Sequence, residues 1–304
     1  MSWSRLMLAI PSLGEIAPIE MSKISKLTAS LGAQLEIFHC IYDAQVARPG
    51  RFGTHGAQED IHEFIEQRRR QLEITAARMR GRGISVRSSV RWDYPTHEGI
   101  VRQVLRHKPD LLIAGMTGRD RSAWMKLTRT DFRLIETCPC PVLFMKTRRP
   151  YSDVVVAAAV DPELTHEKPS TLDPAILEAA CHLRDALRAR LLMFHARAES
   201  QMGDDMSPRL VALAKRHDIP HQRVHVLQGH PAEALARFAD REMADIVVMG
   251  AVARSRFRRA LIGHTAERAL DALDCDVLIV KPPGFQTPVD RQSTHHVQIG
   301  PLSA

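Results

Sequence analysis

The residues of this chain best placed to hold a phosphate lie between Gly250 and a triplet, Gly263-His264-Thr265. An apolar run rich in β-branched residues ends at Gly250, and a second run of the same kind begins at Val277. Strand, glycine turn, helix and strand in this order predict a parallel βαβ unit. The triplet stands at the predicted start of the helix, where free backbone N–H groups can bind an anion.

The same stretch occurs twice. The segment that ends at Gly115 matches the one that ends at Gly250, at an offset of 250 − 115 = 135 residues. The same offset relates Thr128-Arg129-Thr130 to Gly263-His264-Thr265, Cys140 to Cys275, and Lys146 to Lys281. Four matches in one register predict a tandem repeat of one domain.

Each half contains five strand patterns that alternate with four helical patterns, which predicts an α/β fold with a parallel sheet covered by helices on both faces. Ligands of such sheets bind beyond the carboxyl ends of the strands. Pro11 and Asp161, each just after the first strand of its half, are therefore placed in a crevice with that half's glycine turn. We predict domains at 1–147 and 151–284, and a disordered polar tail at 285–304.

Composition is that of an ordinary globular protein, with 44% hydrophobic and 25% charged residues over 304 positions, enough for two domains. The net charge of +7 is concentrated in arginine clusters, which are compatible with anionic partners but are more often solvated helix faces. Because aromatic residues are not interleaved with these arginines, we expect no nucleic-acid partner.

Cysteine usage and hydropathy predict the compartment. The five cysteines are an odd number, and the first residues fit a strand better than a signal peptide, so we expect a reducing cytoplasm. No run reaches the roughly 18 apolar residues that a membrane helix needs, so we expect no membrane span.

Both halves resemble the universal stress protein domain, and their tandem arrangement resembles the E-type members of that family. The most specific segment is GAVARSRFRRALIGHTAE, followed by DCDVLIVKP. The resemblance implies two Rossmann-like domains of the adenine nucleotide alpha hydrolase type, each with strand order 3-2-1-4-5. It also implies that the halves pair through their fifth strands as an intramolecular dimer, and that the protein serves in stress response.

The family's nucleotide motif is Gly, two residues, Gly, nine residues, Gly and then Ser or Thr. Members that carry it bind ATP, with an aspartate after the first strand near the adenosine. The second half departs from this motif at Ala253, which replaces the second glycine, and at His264, which is inserted before Thr265. The resemblance implies ATP with Mg²⁺ in this half, bound by Asp161, Gly250, Ala253, Arg254, Gly263, His264 and Thr265.

The first half departs further from the motif. Thr128 replaces the third glycine, where a side chain disfavours close approach of the backbone to a phosphate. Pro11 offers no side-chain acceptor in place of the aspartate. We therefore expect a degenerate site, made of Gly115, Gly118, Thr128 and Thr130.

Several of these residues have a simpler structural explanation. Asp161 could cap a turn, and Thr265 could cap the helix that follows it. Cys140 and Cys275 precede the last strand of each half and are better explained as buried thiols than as metal ligands. Histidines near the ends of the second strands, His39 and His195, are expected to be hydrogen-bonded within the fold.

Three functions remain open. The first is a non-catalytic regulator in the cytoplasm that binds an adenine nucleotide in its second half and acts on protein partners. The second is a nucleotide-free scaffold that acts by protein contacts alone, and the third is a carrier of an apolar or lipid-like ligand. The sequence contains no nucleophile elbow, HExxH or complete Walker loop, so we do not expect an enzyme.

Overall fold

The computed structural model of the chain describes residues 3–11, 16–43, 55–114, 127–147, 149–163, 169–197, 206–251 and 264–292. For residues 55–60, 264 and 265 it describes the backbone only.

The first half alternates strands and helices as the repeat pattern predicts. Its elements are β1 (Arg5–Ile10), α1 (Pro18–Leu31), β2 (Gln34–Ile41), α2 (His55–Arg80), β3 (Val86–Trp92), α3 (Thr96–His107), β4 (Leu111–Ala114), α4 (Arg129–Thr137) and β5 (Val142–Phe144).

The second half repeats this order. Its elements are β6 (Val155–Ala159), α5 (Leu172–Leu187), β7 (Arg190–Arg197), α6 (Pro208–Arg216), β8 (Val224–Gln228), α7 (Pro231–Arg241), β9 (Ile246–Gly250), α8 (His264–Ala272) and β10 (Asp276–Val280).

All ten strands form one sheet, in the order β3-β2-β1-β4-β5-β10-β9-β6-β7-β8. Each half keeps the expected order 3-2-1-4-5 with parallel neighbours. The two halves join through β5 and β10, which pair antiparallel with Leu143 opposite Leu278. The two five-stranded sheets expected from the sequence are thus one continuous sheet, and the fifth strands form the seam between its halves.

Apolar side chains fill both faces of this sheet. Leu6, Leu8 and Ile10 point into one buried cluster, which also receives α1, α2, α5 and α6. The alternate residues Met7 and Ala9 point into a second cluster with α3, α4, α7 and α8. Successive residues of a strand face opposite sides, so a sheet covered on both faces needs this nearly continuous apolar run.

A fully buried carboxylate holds the seam together. Asp276, the first residue of β10, accepts hydrogen bonds from Lys23 Nζ and from the Tyr151 hydroxyl, each at 2.7 Å. Its other oxygen accepts from the backbone N–H groups of Lys146 at 2.8 Å and Thr147 at 2.9 Å. Lys23 belongs to α1, so one side chain ties together the first half, the connecting segment and the second half.

The predicted disorder of the tail is wrong for residues 285–292. Val289 is 9% exposed and joins the same apolar cluster as α3 and α4. The backbone carbonyl of Asp290 accepts a hydrogen bond from Arg102 Nε at 3.1 Å. The packing of Val289 and the hydrogen bond to the Asp290 carbonyl hold this segment against α3. Residues 293–304 lie outside the described part, and the predicted domain boundaries stay predictions.

We expect the Lys23→Met variant to lose about 3 to 5 kcal/mol of unfolding free energy, because it leaves the buried Asp276 carboxylate without its cation. Urea unfolding followed by circular dichroism measures this loss. The matched control is Arg69→Met, which removes an ion pair to Glu66 whose arginine is 51% exposed and should cost less than about 1 kcal/mol. Equal, small losses in both variants would contradict a seam that depends on this ion pair.

Candidate functional site

The structure locates part of the residue set proposed from the sequence. Asp161, Gly250, Thr128 and Thr130 lie within the described residues, as does the backbone of His264 and Thr265 at the start of α8. The proposed residues Gly115, Gly118, Ala253, Arg254 and Gly263 lie outside them.

Gly250 is the last residue of β9, and its missing side chain is explained by packing. A Cβ atom there would lie 2.5 Å from Leu172 Cδ2 and 2.9 Å from Leu172 Cγ. Gly250 is not among the glycines with a positive φ. Glycine is therefore required here because Leu172, the first residue of α5, packs directly against the end of β9.

Asp161 lies two residues beyond β6 and meets a second carboxylate. Its backbone N–H donates to Asp173 Oδ1 at 3.2 Å, and Asp173 is 5% exposed in the first turn of α5. Asp161 is predicted from the sequence, whereas Asp173 is not. Asp173 could have been found as an acidic residue near the start of a predicted helix, where the helix dipole stabilises negative charge.

In the first half, the start of α4 is closed by its own side chains. Thr128 is the residue before α4, and its hydroxyl accepts a hydrogen bond from the backbone N–H of Asp131. The Asp131 carboxylate in turn accepts from Thr128 N at 2.7 Å and from Thr128 Oγ1 at 2.8 Å. This capping box places a buried carboxylate beside the helix N-terminus, where a phosphate would otherwise find positive charge. Thr130 is half-buried in the same turn.

The second half has no carboxylate at the position equivalent to Asp131, and the acidic residue of the first turn of α8, Glu267, is exposed. At the repeat offset of 266 − 131 = 135, the residue that corresponds to Asp131 is Ala266, in the first turn of α8. The first turn of α8 therefore carries a methyl group at the position where α4 carries an internal anion. Placing the two repeats side by side in the sequence would have revealed the difference.

The two second-strand histidines are bound within the fold, as expected. His39 Nδ1 lies 3.0 Å from the carbonyl oxygen of Ile10, and His195 Nδ1 lies 3.1 Å from that of Val160. Burial lowers the pKa of His39, which keeps its ring neutral near pH 7. Each ring ties the second strand to the end of the first strand of its half.

Cys140 and Cys275 are thiols with little nucleophilic character. Cys275 is buried, as expected, and burial raises the pKa of its thiol to about 12. Cys140 is only half-buried, and its sulfur lies 3.6 Å from that of Cys138. The hydrogen bond with Cys138, followed by desolvation, raises the Cys140 pKa well above its ordinary value. Within the described ranges, no group of three His, Cys, Asp or Glu side chains is arranged to hold a metal ion.

An aromatic cluster that the sequence did not reveal lies at the carboxyl ends of β2 and β3. The ring of Tyr42 is 4.5 Å from that of Tyr94 and 5.5 Å from that of Trp92, and Phe64 of α2 meets Trp92 edge-on at 6.2 Å. Tyr94 is 47% exposed. Among the described residues, the buried Trp92 Nε1–H has no hydrogen-bond partner. Its only sequence signal was that two of the chain's three tyrosines fall here.

Comparison with known proteins decides the family. A family model described as Usp, the Universal stress protein family, matches residues 22–146 and again residues 147–281. The chain belongs to the universal stress protein family. It carries two copies of the family's domain, and membership gives it a role in stress response.

Named members of the family match most of the chain. Universal stress protein E of Photorhabdus laumondii is 25% identical over 278 residues, which cover 85% of this chain and 88% of that protein. Universal stress protein E of Escherichia coli K12 is 25% identical over 281 residues, with coverages of 86% and 88%.

Solved structures share the fold of this universal stress protein. A protein of unknown function from Pseudomonas aeruginosa PAO1 superposes with a TM-score of 0.70 at 24% identity and covers 92% of this chain and 93% of its own. A universal stress protein of Archaeoglobus fulgidus gives a TM-score of 0.67 at 16% identity, with coverages of 92% and 99%. In the part of the chain that the structure describes, no helix is long and apolar enough to cross a membrane.

We expect Gly250→Ala to cost about 1 to 3 kcal/mol of unfolding free energy, because the added methyl group overlaps Leu172. Leu172→Ala removes the overlap, so the double variant should lose less than the sum of the two single losses. Urea unfolding of all three proteins measures the coupling. Gly81→Ala is the control, since its Cβ would meet only ordinary contacts at 3.5 Å and 3.6 Å. Strict additivity would contradict the packing explanation of Gly250.

Proposed function

We propose that this universal stress protein is a non-catalytic regulator in the cytoplasm that binds ATP, with Mg²⁺, in its second half. Bound nucleotide would change the surface around the start of α8 and so the protein's affinity for partner proteins. The first half serves as the structural partner of the second and holds no nucleotide.

The difference between the two helix starts carries this proposal. Asp131 fills the first turn of α4 with a carboxylate, which would repel a phosphate at that end. Ala266 leaves the corresponding position of α8 without one, and the acidic residue of that turn, Glu267, is exposed to solvent. A helix N-terminus without a buried carboxylate at this position supplies N–H donors and a partial positive charge, which together favour a phosphate group.

The remaining residues of the second half fit a nucleotide in part. Asp161 lies beyond β6, where a carboxylate can accept from the hydroxyl groups of a ribose. The backbone of His264 and Thr265 forms the start of α8, and their N–H groups would face the phosphates. Leu172 above Gly250 restricts how closely a phosphate can approach the end of β9. We therefore place the phosphates on α8 rather than on the glycine.

The proposed lack of catalysis rests on the chemistry of the side chains near the strand ends. Burial lowers the pKa of His39, and its Nδ1 is already occupied by a backbone carbonyl. A thiol with a pKa of about 12, as in Cys275, provides almost no thiolate nucleophile at pH 7. The cytoplasmic location is supported by all five cysteines being free thiols, as a reducing compartment keeps them.

A second candidate, a carrier of an apolar ligand, is favoured by the aromatic cluster of the first half. Tyr42, Trp92 and Tyr94 gather at the carboxyl ends of two neighbouring strands, which is where ligands of parallel sheets bind. An exposed tyrosine ring and a buried indole N–H that has no partner within the described residues suit a planar apolar molecule with one hydrogen-bond acceptor.

Calorimetric titration of the full chain with ATP and Mg²⁺ tests the nucleotide proposal. We expect one site per chain, and at least tenfold weaker binding in Ala266→Asp, which copies the carboxylate of the first half into α8. Ala266→Asn has nearly the same shape without the charge and should bind much more tightly than Ala266→Asp.

Asp131→Ala is the control in the other half and should leave the affinity for ATP unchanged. The proposal fails if the wild-type chain takes up no ATP, or if Ala266→Asp binds as the wild type does. Mass spectrometry of small molecules released from the purified protein then separates the alternatives. A released apolar compound would support the carrier, and no ligand at all would support a scaffold.

A further inference from the structure

The C-terminal strap, residues 282–292, covers the outer side of α3 and α4. It follows Lys281, whose pKa is lowered to about 8 by burial, an effect that Cys138 and Glu136 at the end of α4 partly oppose. It reaches the middle of α3, where Arg102 Nε donates to the carbonyl oxygen of Asp290 at 3.1 Å. Arg102 is only 4% exposed, and its neighbour Val101 is fully buried.

In the second half, no segment among the described residues takes the place of the strap. At the repeat offset, Val101 corresponds to Ala236 and Arg102 to Arg237. Ala236 is half-buried and Arg237 is exposed. An open cavity of about 330 Å³ lies between α7 and α8. Its lining includes Arg149, Ala236, Arg237, Asp240, Ala272 and Asp274.

Arg237 has lost the partners that its counterpart keeps. Arg102 forms ion pairs with Asp93 at 2.7 Å and with Glu98 at 2.5 Å. The guanidinium of Arg237 instead lies next to Gly229, the residue that follows β8. A Cβ atom on Gly229 would be 3.5 Å from the Arg237 Nη2 atom. The residue that corresponds to Glu98 is Glu233, which pairs with Arg268 at 2.9 Å. Within the described residues, Arg237 makes no hydrogen bond or ion pair, so its five donors are available to a ligand.

The rim of the groove carries charges of both signs. Arg237 and Arg149 lie on it, and the Arg149 guanidinium already donates to the carbonyl oxygens of Ala244 and Asp274. The side chains of Asp240 and Asp274 add negative charge. The strap that fills the groove in the first half has an aliphatic, an acidic and a basic residue in sequence, Val289-Asp290-Arg291. Such a segment could place its aliphatic residue against Ala236 and Ala272, and its acidic and basic residues near Arg237 and Asp240.

We propose that the groove between α7 and α8 is a docking site for an extended segment of a partner protein, with an aliphatic residue followed by an acidic and a basic one. Arg237 donates to the main-chain carbonyl of the acidic residue, as Arg102 of α3 donates to the carbonyl oxygen of Asp290 in the strap. The aliphatic side chain covers Ala236 and Ala272, and the basic residue meets Asp240. Arginine at the edge of an apolar groove is a common anchor of protein–protein contacts. This docking is independent of nucleotide binding.

The probe is a labelled peptide with the strap's own sequence, FQTPVDRQ, titrated with the full-length protein and followed by fluorescence anisotropy. We expect saturable binding at one site per chain, weakened at least tenfold by Arg237→Glu. The control is Arg241→Glu on the same helix, whose side chain is 55% exposed and interacts with Glu242 outside the groove. It should bind the peptide as the wild type does.

Three results would overturn the proposal. One is the absence of binding at millimolar protein. Another is binding that is lost in Arg102→Glu but kept in Arg237→Glu, which would place the peptide on α3 in exchange for the strap. The third is self-association of the full chain that disappears in Arg237→Glu by sedimentation, which would make the occupant a second copy's strap. Circular dichroism of Arg237→Glu identifies any loss of binding that comes from misfolding.

Discussion

The buried carboxylate of Asp276 is the constraint on which the arrangement of the two halves depends. A charge removed from water is tolerated only when oppositely charged or donor groups surround it. Here Lys23, Tyr151 and two backbone N–H groups do so, and they come from α1 and from the segment between the halves. All of them meet Asp276 only when β5 lies antiparallel beside β10. The seam between the two halves is thus part of the core of one continuous sheet.

Side chains at corresponding positions of the two repeats make different contacts. Lys146 reaches across the seam and donates to the carbonyl oxygens of Leu270 and Leu273 at the end of α8. Its counterpart, Lys281, donates to Ala251 and leads into the strap. The same divergence separates Asp131 from Ala266. The two halves keep the same order of strands and helices, while single side chains differ at the helix starts and between the helices.

Most of the fold could be predicted from local sequence, because strand and helix patterns record which faces are buried. The strand Arg5–Ile10 and the helix Thr96–His107 have the bounds that their apolar spacing predicts. The misses concern contacts that no local pattern records. Val289 is ordered by helices more than 150 residues away in sequence, and Asp173 became relevant only because α5 begins before the proline at 174. The seam order came from family resemblance.

The glycine signal shows why site residues are harder to predict than strands. Spacing alone cannot tell a glycine that admits a phosphate from one that admits a neighbouring side chain, since both require the same missing Cβ. At Gly250 the neighbour is Leu172. What distinguishes an anion site is the charge that the helix start already carries. By that criterion α4, with its buried Asp131 carboxylate, is a poor anion site although it keeps a good N-terminal cap. The start of α8, with Ala266 at the same position and an exposed Glu267, is the one we propose for phosphate.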